Sequence, residues 1–166
     1  MNPIAMVGLG RMGANMARRL ARAGFAVHGH DAAAGARESL KGETGVQTHA
    51  SLAGAVSALR AASAGRAGVV VWLMLPAGDI TEATLTELQG LLLPGDVVVE
   101  GGNSNYLDSQ RRAQAAAAAG LLYLDCGVSG GVWGLANGYC LSLGGEAQAV
   151  ALVTPFLQAL SPTPQT

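Results

Sequence analysis

A short apolar run ending in Met6-Val7 delivers the chain into Gly8-Leu9-Gly10-Arg11-Met12-Gly13, and a helical pattern from Met12 to Ala23 begins before the turn is over. Strand, glycine turn and helix in that order leave little room for any other unit than a βα crossing built to approach a ligand closely. Gly8 allows the tight turn out of the strand, Gly10 lets backbone N–H groups approach a pyrophosphate with no Cβ in the way, and Gly13 lets the helix pack close to the strand. The pyrophosphate is expected at the positive end of the helix. In a chain with 24 glycines the six-residue pattern alone is a weak signal, and its position between strand and helix is what gives it weight.

A second strand-like run, Phe25-Ala26-Val27-His28-Gly29-His30, ends at Asp31, about 20 residues downstream, where this kind of unit presents an acid to the adenosine ribose. A carboxylate there accepts from both ribose hydroxyls and repels a 2′-phosphate, which favours NAD. Two alternatives stay open on the residues themselves: Asp31 caps the next helix, or Arg37, one to two turns further on, reaches a 2′-phosphate and admits NADP.

At 166 residues, half of them apolar, the chain suits one domain with ample core. A formal net charge of −1 and the lack of a basic run give no footprint for nucleic acid or an anionic membrane surface. No apolar segment reaches a membrane span and the N-terminus lacks a signal-peptide pattern, so a cytoplasmic protein is expected. Cys126 and Cys140 have neither metal-ligand spacing nor a disulfide framework around them, and no metal is expected.

Short Val/Ile/Leu runs alternate with alanine-rich helical stretches, the habit of a parallel sheet covered on both faces. Strands are predicted near 3–7, 25–30, 68–74, 96–100 and 121–125, with weaker ones near Val46 and at Tyr139 to Leu143; helices near 12–23, 33–41, 51–63, 79–92, 106–119 and 146–159. The fold class is α/β, a doubly wound, mostly parallel sheet over residues 1–160. Residues 161–166, with Pro162 and Pro164, read as a tail or truncated linker.

Three further segments fall at predicted strand ends, where open α/β sheets bind ligands. Leu75-Pro76-Ala77-Gly78 is either a turn passing beside a nicotinamide ribose or a plain strand-to-helix loop. Glu100-Gly101-Gly102-Asn103-Ser104-Asn105 offers amides and a hydroxyl, with Ser104 or Asn105 alternatively a helix cap. Asp125 to Gly134 is a glycine-rich loop in which Ser129, followed by Gly130 and Gly131, can present a hydroxyl and free N–H donors to a small substrate. Trp133 either lines that pocket or simply packs.

Gly8 to Met16, Gly101-Gly102-Asn103-Ser104-Asn105-Tyr106 and Val128-Ser129-Gly130-Gly131-Val132-Trp133-Gly134 together resemble the decarboxylating 6-phosphogluconate dehydrogenases, within the wider β-hydroxyacid dehydrogenases. The resemblance covers nearly the whole chain. The Val-Trp-Gly variant, with Gly138-Tyr139-Cys140 behind it, is similar to the shorter, often NAD-preferring branch. It implies that Gly8, Leu9, Gly10, Arg11, Met12, Gly13, Asp31, Leu75, Pro76, Ala77 and Asn103 contact NAD, with NADP as the alternative, and that Asn103, Ser129, Gly130 and Gly131 contact a sugar-acid phosphate. The implied reaction takes 6-phosphogluconate to a 3-keto acid and then, with loss of carbon dioxide, to ribulose 5-phosphate.

The family's general base, a lysine in a Gly-His-x-x-Lys stretch, and its proton-donating glutamate sit on a helical domain that follows the cofactor domain and also carries the homodimer contacts. Both fall beyond Thr166, and Lys41, the single lysine here, does not align with that base. The resemblance therefore implies no catalytic residue within these 166 residues and no turnover by them alone. The alternatives are a stand-alone NAD-binding module, or another β-hydroxyacid dehydrogenase such as one acting on 3-hydroxyisobutyrate.

Overall fold

A computed structural model describes residues 2–163. Seven strands form one sheet in the order β3-β2-β1-β4-β5-β6-β7: β1 (Ile4–Val7), β2 (Val27–His30), β3 (Val46–His49), β4 (Val70–Leu73), β5 (Val97–Glu100), β6 (Leu122–Ser129) and β7 (Cys140–Gly145). The first six run parallel and β7 is antiparallel to β6. The helices are α1 (Arg11–Arg22), α2 (Ala34–Glu38), α3 (Leu52–Ala62), α4 (Asp79–Leu91), α5 (Tyr106–Ala118), α6 (Gly134–Asn137) and α7 (Ala147–Leu160). The doubly wound expectation holds.

Alternation within the strands builds two cores. Ile4 and Met6, Val70 and Trp72, Val97 and Val99 point to one face, where they meet α1 and α7 through Met16, Leu20, Val153 and Phe156. Ala5 and Val7, Val71 and Leu73, and Val98 point to the other, against Leu52, Val56, Leu59, Leu85 and Leu88 of α3 and α4. Burial on both sides is why these strands read as unbroken apolar runs, each such side chain contributing roughly 1.5–3 kcal/mol. At the N-terminal side of the sheet Asp96, fully buried, accepts from the amides of Gly68, Val69 and Leu93 and from the Arg60 guanidinium, so that side is closed by a satisfied charge.

Four expectations change. The helix expected over 33–41 shrinks to Ala34–Glu38: none of those five residues is buried, Leu40 reaches the core from a turn beyond them, and helical propensity alone does not carry a helix. The segment from Asp125 to Ser129, expected as loop, continues β6: Asp125 to Ser129 pair with Gly144 to Cys140, so a distant strand supplies the backbone partners that its glycine and serine do not advertise. Tyr139 itself precedes β7, and its amide donates to the Leu160 carbonyl. The tail expected over 161–166 starts packed, with Ser161 bonded back to Leu157; residues 164–166 lie outside the described residues.

Candidate cofactor and substrate sites

The ends of five strands fall on one line, which β6 crosses at Asp125. Register pairs His49 with His30, His30 with Val7, Val7 with Leu73, Leu73 with Glu100 and Glu100 with Asp125. Beyond this line lie all the candidate segments, at the side where the chain turns from the β1-β2 direction to the β4-β5 direction, the switch point of such sheets.

Gly8 takes φ +93°, a left-handed conformation, and a Cβ there would collide with the Met74 carbonyl. At Gly13 a Cβ would run into the Gly8 carbonyl. At Gly10 it would meet nothing within 4 Å. The first and third glycines are therefore needed by the protein's own packing, whereas the second faces open space. Gly10 caps α1, and no side chain bonds to the amides of its first turn. That leaves orphan N–H donors and the positive end of a twelve-residue helix beside the opening. These features fit a dinucleotide's pyrophosphate, with Gly10 the place where its oxygens approach.

Asp31 anchors the same turn. Its Oδ2 accepts from the Leu9 amide at 2.8 Å and its Oδ1 from the Ala33 amide at 2.8 Å. It is not the cap of α2, whose N-cap is Ala33. A carboxylate has about four acceptor positions, so two remain for ribose hydroxyls. Arg37 lies nearer to Asp31 than its spacing suggests, with Nη1 donating to the Asp31 carbonyl at 2.7 Å and to that of Ala32 at 3.2 Å.

Val7, Gly8, Gly10, His30, Asp31, Leu75 and Pro76 line one cleft of about 390 Å³, together with Ile80, Thr84 and Glu87 of α4. The turn at Pro76 is held by the buried Thr81, whose hydroxyl donates to the Pro76 carbonyl at 2.7 Å. Leu9 is buried, its side chain packed over Gly29. Arg11 and Ala77 are exposed, and Met12 is half-buried against the core.

Asn103 is exposed on the loop after β5, and the loop is fixed from beneath. Gly102 has no room for a Cβ between the Leu75 carbonyl and Glu100 Oε1, so the loops after β4 and β5 touch. Fully buried Glu100 accepts from the Gly102 amide at 2.7 Å. Arg112, 4% exposed, donates to Ser104 Oγ and to Glu82, each at 2.7 Å. Burial pushes the Glu100 carboxyl above the ordinary range against the pull of Ser104, Gly102 and Arg112, while Arg111 and Arg112 hold Glu82 below it. Asn105 is the helix cap, accepting from the Leu107 amide. Glu82, Arg112 and Thr81 lie outside the segments the sequence points to, and Glu100 is named there only as the start of its loop; a glutamate closing a valine strand and paired arginines in a helix are the signals they left.

Ser129 ends β6, exposed, opposite Cys140. Gly130 and Gly131 then enter a 3-10 turn, Gly131–Trp133, moulded on the buried Tyr139 ring: a Cβ at Gly130 would stand 2.9 Å from Cδ1 of that ring. Trp133 is 71% exposed, so it is not the packing residue that one reading of the sequence allowed. Burial raises the Cys126 thiol to about 12, which keeps it protonated and unreactive near neutrality. Lys41 lies on the surface beside Glu38.

By its strand order and the build of its first crossing this is a Rossmann-type, dinucleotide-binding α/β domain. Residues 3–164 match the family described as the NAD binding domain of 6-phosphogluconate dehydrogenase, and the chain belongs to that family. It is 39% identical, over 97% of its length, to an NAD(+)-dependent, decarboxylating 6-phosphogluconate dehydrogenase of Haloferax volcanii, and spans 50% of that protein. Among solved structures, a Plasmodium falciparum 6-phosphogluconate dehydrogenase, described with its cofactor NADP+ and its substrate 6-phosphogluconate, aligns with TM-score 0.88 and 25% identity over 97% of this chain and 34% of that one. A 3-hydroxyisobutyrate dehydrogenase of Mycobacterium tuberculosis aligns with TM-score 0.85 and 29% identity over 97% and 52% respectively. No helix among the described residues is long and apolar enough to cross a membrane.

Proposed function

We propose that this chain is the coenzyme-binding half of an oxidoreductase that converts 6-phosphogluconate to ribulose 5-phosphate, and that it holds NAD in preference to NADP. The observation that carries the reading is a single cleft into which the capless start of α1, the side-chain-free face of Gly10 and the Asp31 carboxylate all open. Gly8, Leu9, Gly10, Arg11, Met12 and Gly13 form the pyrophosphate turn, and Asp31 takes the adenosine ribose. Leu75, Pro76, Ala77 and Asn103 flank the nicotinamide end. The bound nicotinamide supplies the hydride acceptor; the protein binds it and orients it.

Asn103, Ser129, Gly130 and Gly131 bind the sugar acid, through the Asn103 amide, the Ser129 hydroxyl and backbone N–H groups. The proton-transferring residues belong to a part of the enzyme outside these 166 residues. Reaction on 3-hydroxyisobutyrate is the second reading, favoured by the structural likeness to the Mycobacterium tuberculosis enzyme. Titration of the purified chain with both coenzymes tests the preference. NAD is expected to bind more tightly, and Asp31→Ala is expected to narrow the difference by removing the repulsion of a 2′-phosphate. Equal or reversed affinities in the unaltered chain overturn it.

A further inference from the structure

His30 is the last residue of β2 and stands next to Asp31 in the lining of the cleft. Its Nδ1 is 3.0 Å from the His49 carbonyl oxygen. A carbonyl only accepts, so Nδ1 carries the hydrogen and the neutral ring keeps its lone pair on Nε2. That Nε2 has no partner among the described residues and, unlike Nε2 of His28, is not sealed from solvent. The ring therefore offers an acceptor when neutral and a cationic donor when protonated.

We propose that His30 is a second specificity determinant at the adenosine ribose: neutral, it accepts from a 2′-hydroxyl; protonated, it donates to a 2′-phosphate, so that acid narrows the discrimination against NADP. This rests on the coenzyme reading above and adds a residue and a pH dependence to it.

The surroundings of the ring support the assignment. Asp31 follows it on the chain, and Arg37 comes from α2 with its guanidinium held on the Asp31 and Ala32 carbonyls. Glu87 of α4 lines the same cleft. From β3 comes His49, whose Nε2 is 3.2 Å from Nδ1 of His28. From beneath, α3 buries only apolar side chains, Leu52, Ala55, Val56 and Leu59. Burial first, and then the His30 charge, hold His49 below the ordinary imidazole range; burial first, and then the His49 charge, do the same for His28.

The test is the ratio of NAD to NADP affinity at pH 8 and at pH 5.5, measured for the unaltered chain, His30→Gln and His49→Gln, with circular dichroism confirming that each is folded at both pH values. That check is needed because His28 and His49, whose folded-state pKa values are depressed, contribute stability that is present above the unfolded value of about 6.5 and lost as pH falls. The 2′-phosphate itself titrates near about pH 6, and this contribution is common to all three proteins. Beyond it, the unaltered chain and His49→Gln are expected to narrow the ratio by about tenfold more than His30→Gln, the scale of one charge-assisted hydrogen bond. His30→Phe, which keeps a ring in the site, serves if His30→Gln does not fold. An equal pH response with and without the His30 imidazole overturns the proposal, as does loss of the response in His49→Gln alone. If the unaltered chain binds no NAD at either pH, the coenzyme reading falls and this proposal with it; an unchanged preference for NAD with no His30-dependent response overturns the proposal alone.

Discussion

The two halves of the ligand-facing side of the sheet are built on different terms. Around β1, β2 and β4 the work is done by backbone: glycines at van der Waals limits, helix amides without a cap, and a carboxylate whose protein partners are both backbone N–H groups. Around β5, β6 and β7 it is side chains that stand out, with Asn103 and Ser129 exposed and Trp133, Tyr106 and Val132 each more than half exposed. A site made of backbone donors is complete once the turn is folded, since its geometry is fixed by buried contacts. A site made of projecting side chains on a rim has its reactive geometry set by whatever meets that rim. The first half is expected to function in isolation and the second is not.

The largest effect tests that asymmetry directly. With 6-phosphogluconate in excess, the 166 residues by themselves are expected to form no NADH, because the base that the family resemblance implies is a lysine, and Lys41, the sole lysine, has its side chain 79% exposed on the surface beside Glu38. Loss of acid–base catalysis alone forfeits about 10²- to 10⁴-fold, and lost positioning adds up to roughly 7–11 kcal/mol. Turnover that Asn103→Ala or Ser129→Ala abolished would show the open half to be sufficient and would break the comparison.

Two substitutions sharpen it within the glycine turn. Gly13→Val forces branched carbons onto the Gly8 carbonyl and is expected to cost about 3 kcal/mol or more of folding stability in urea denaturation. At Gly10 an added Cβ has nothing within 4 Å, so the denaturation midpoint of Gly10→Val should stay far nearer that of the unaltered chain than the midpoint of Gly13→Val, while NAD affinity drops by about 100-fold, the equivalent of one or two charge-assisted bonds. Normal NAD binding by Gly10→Val would make the turn purely structural. The smallest effect lies on the other half: Trp133→Ala should change stability by less than about 0.5 kcal/mol, as for surface positions generally, since 71% of this residue is already wet. A large loss would mean that Trp133 packs in solution and that the rim is closed.

Much of the fold was legible because local pattern and global role agree. The β1, β4 and β5 strands are buried on both faces and so appear as uninterrupted apolar runs. The glycine turn was legible because only glycine satisfies φ +93° at position 8 and the close contact at position 13. Other features left little trace. Nothing local in Asp125-Cys126-Gly127-Val128-Ser129 says strand; the pairing with β7 does. The Glu100–Arg112–Glu82 cluster joins residues up to 30 positions apart, whose meeting depends on how α4 and α5 lie over the sheet.

What the sequence determined by itself was the order of strands and helices and the first crossing, since these follow from periodicity and from the few conformations glycine alone allows. The family resemblance was also carried there, in three motifs. What the tertiary structure decided was which of the named residues share a space. It gathered Gly8, Gly10, Asp31, Leu75 and Pro76 around one cleft, set His30 beside them, and brought Arg37 onto the Asp31 carbonyl. It also stretched β6 past the common line to raise Ser129 on the rim. Those outcomes depend on register between strands distant in sequence and on helices packing across them, and non-local hydrogen bonds and shared burial are what fix both.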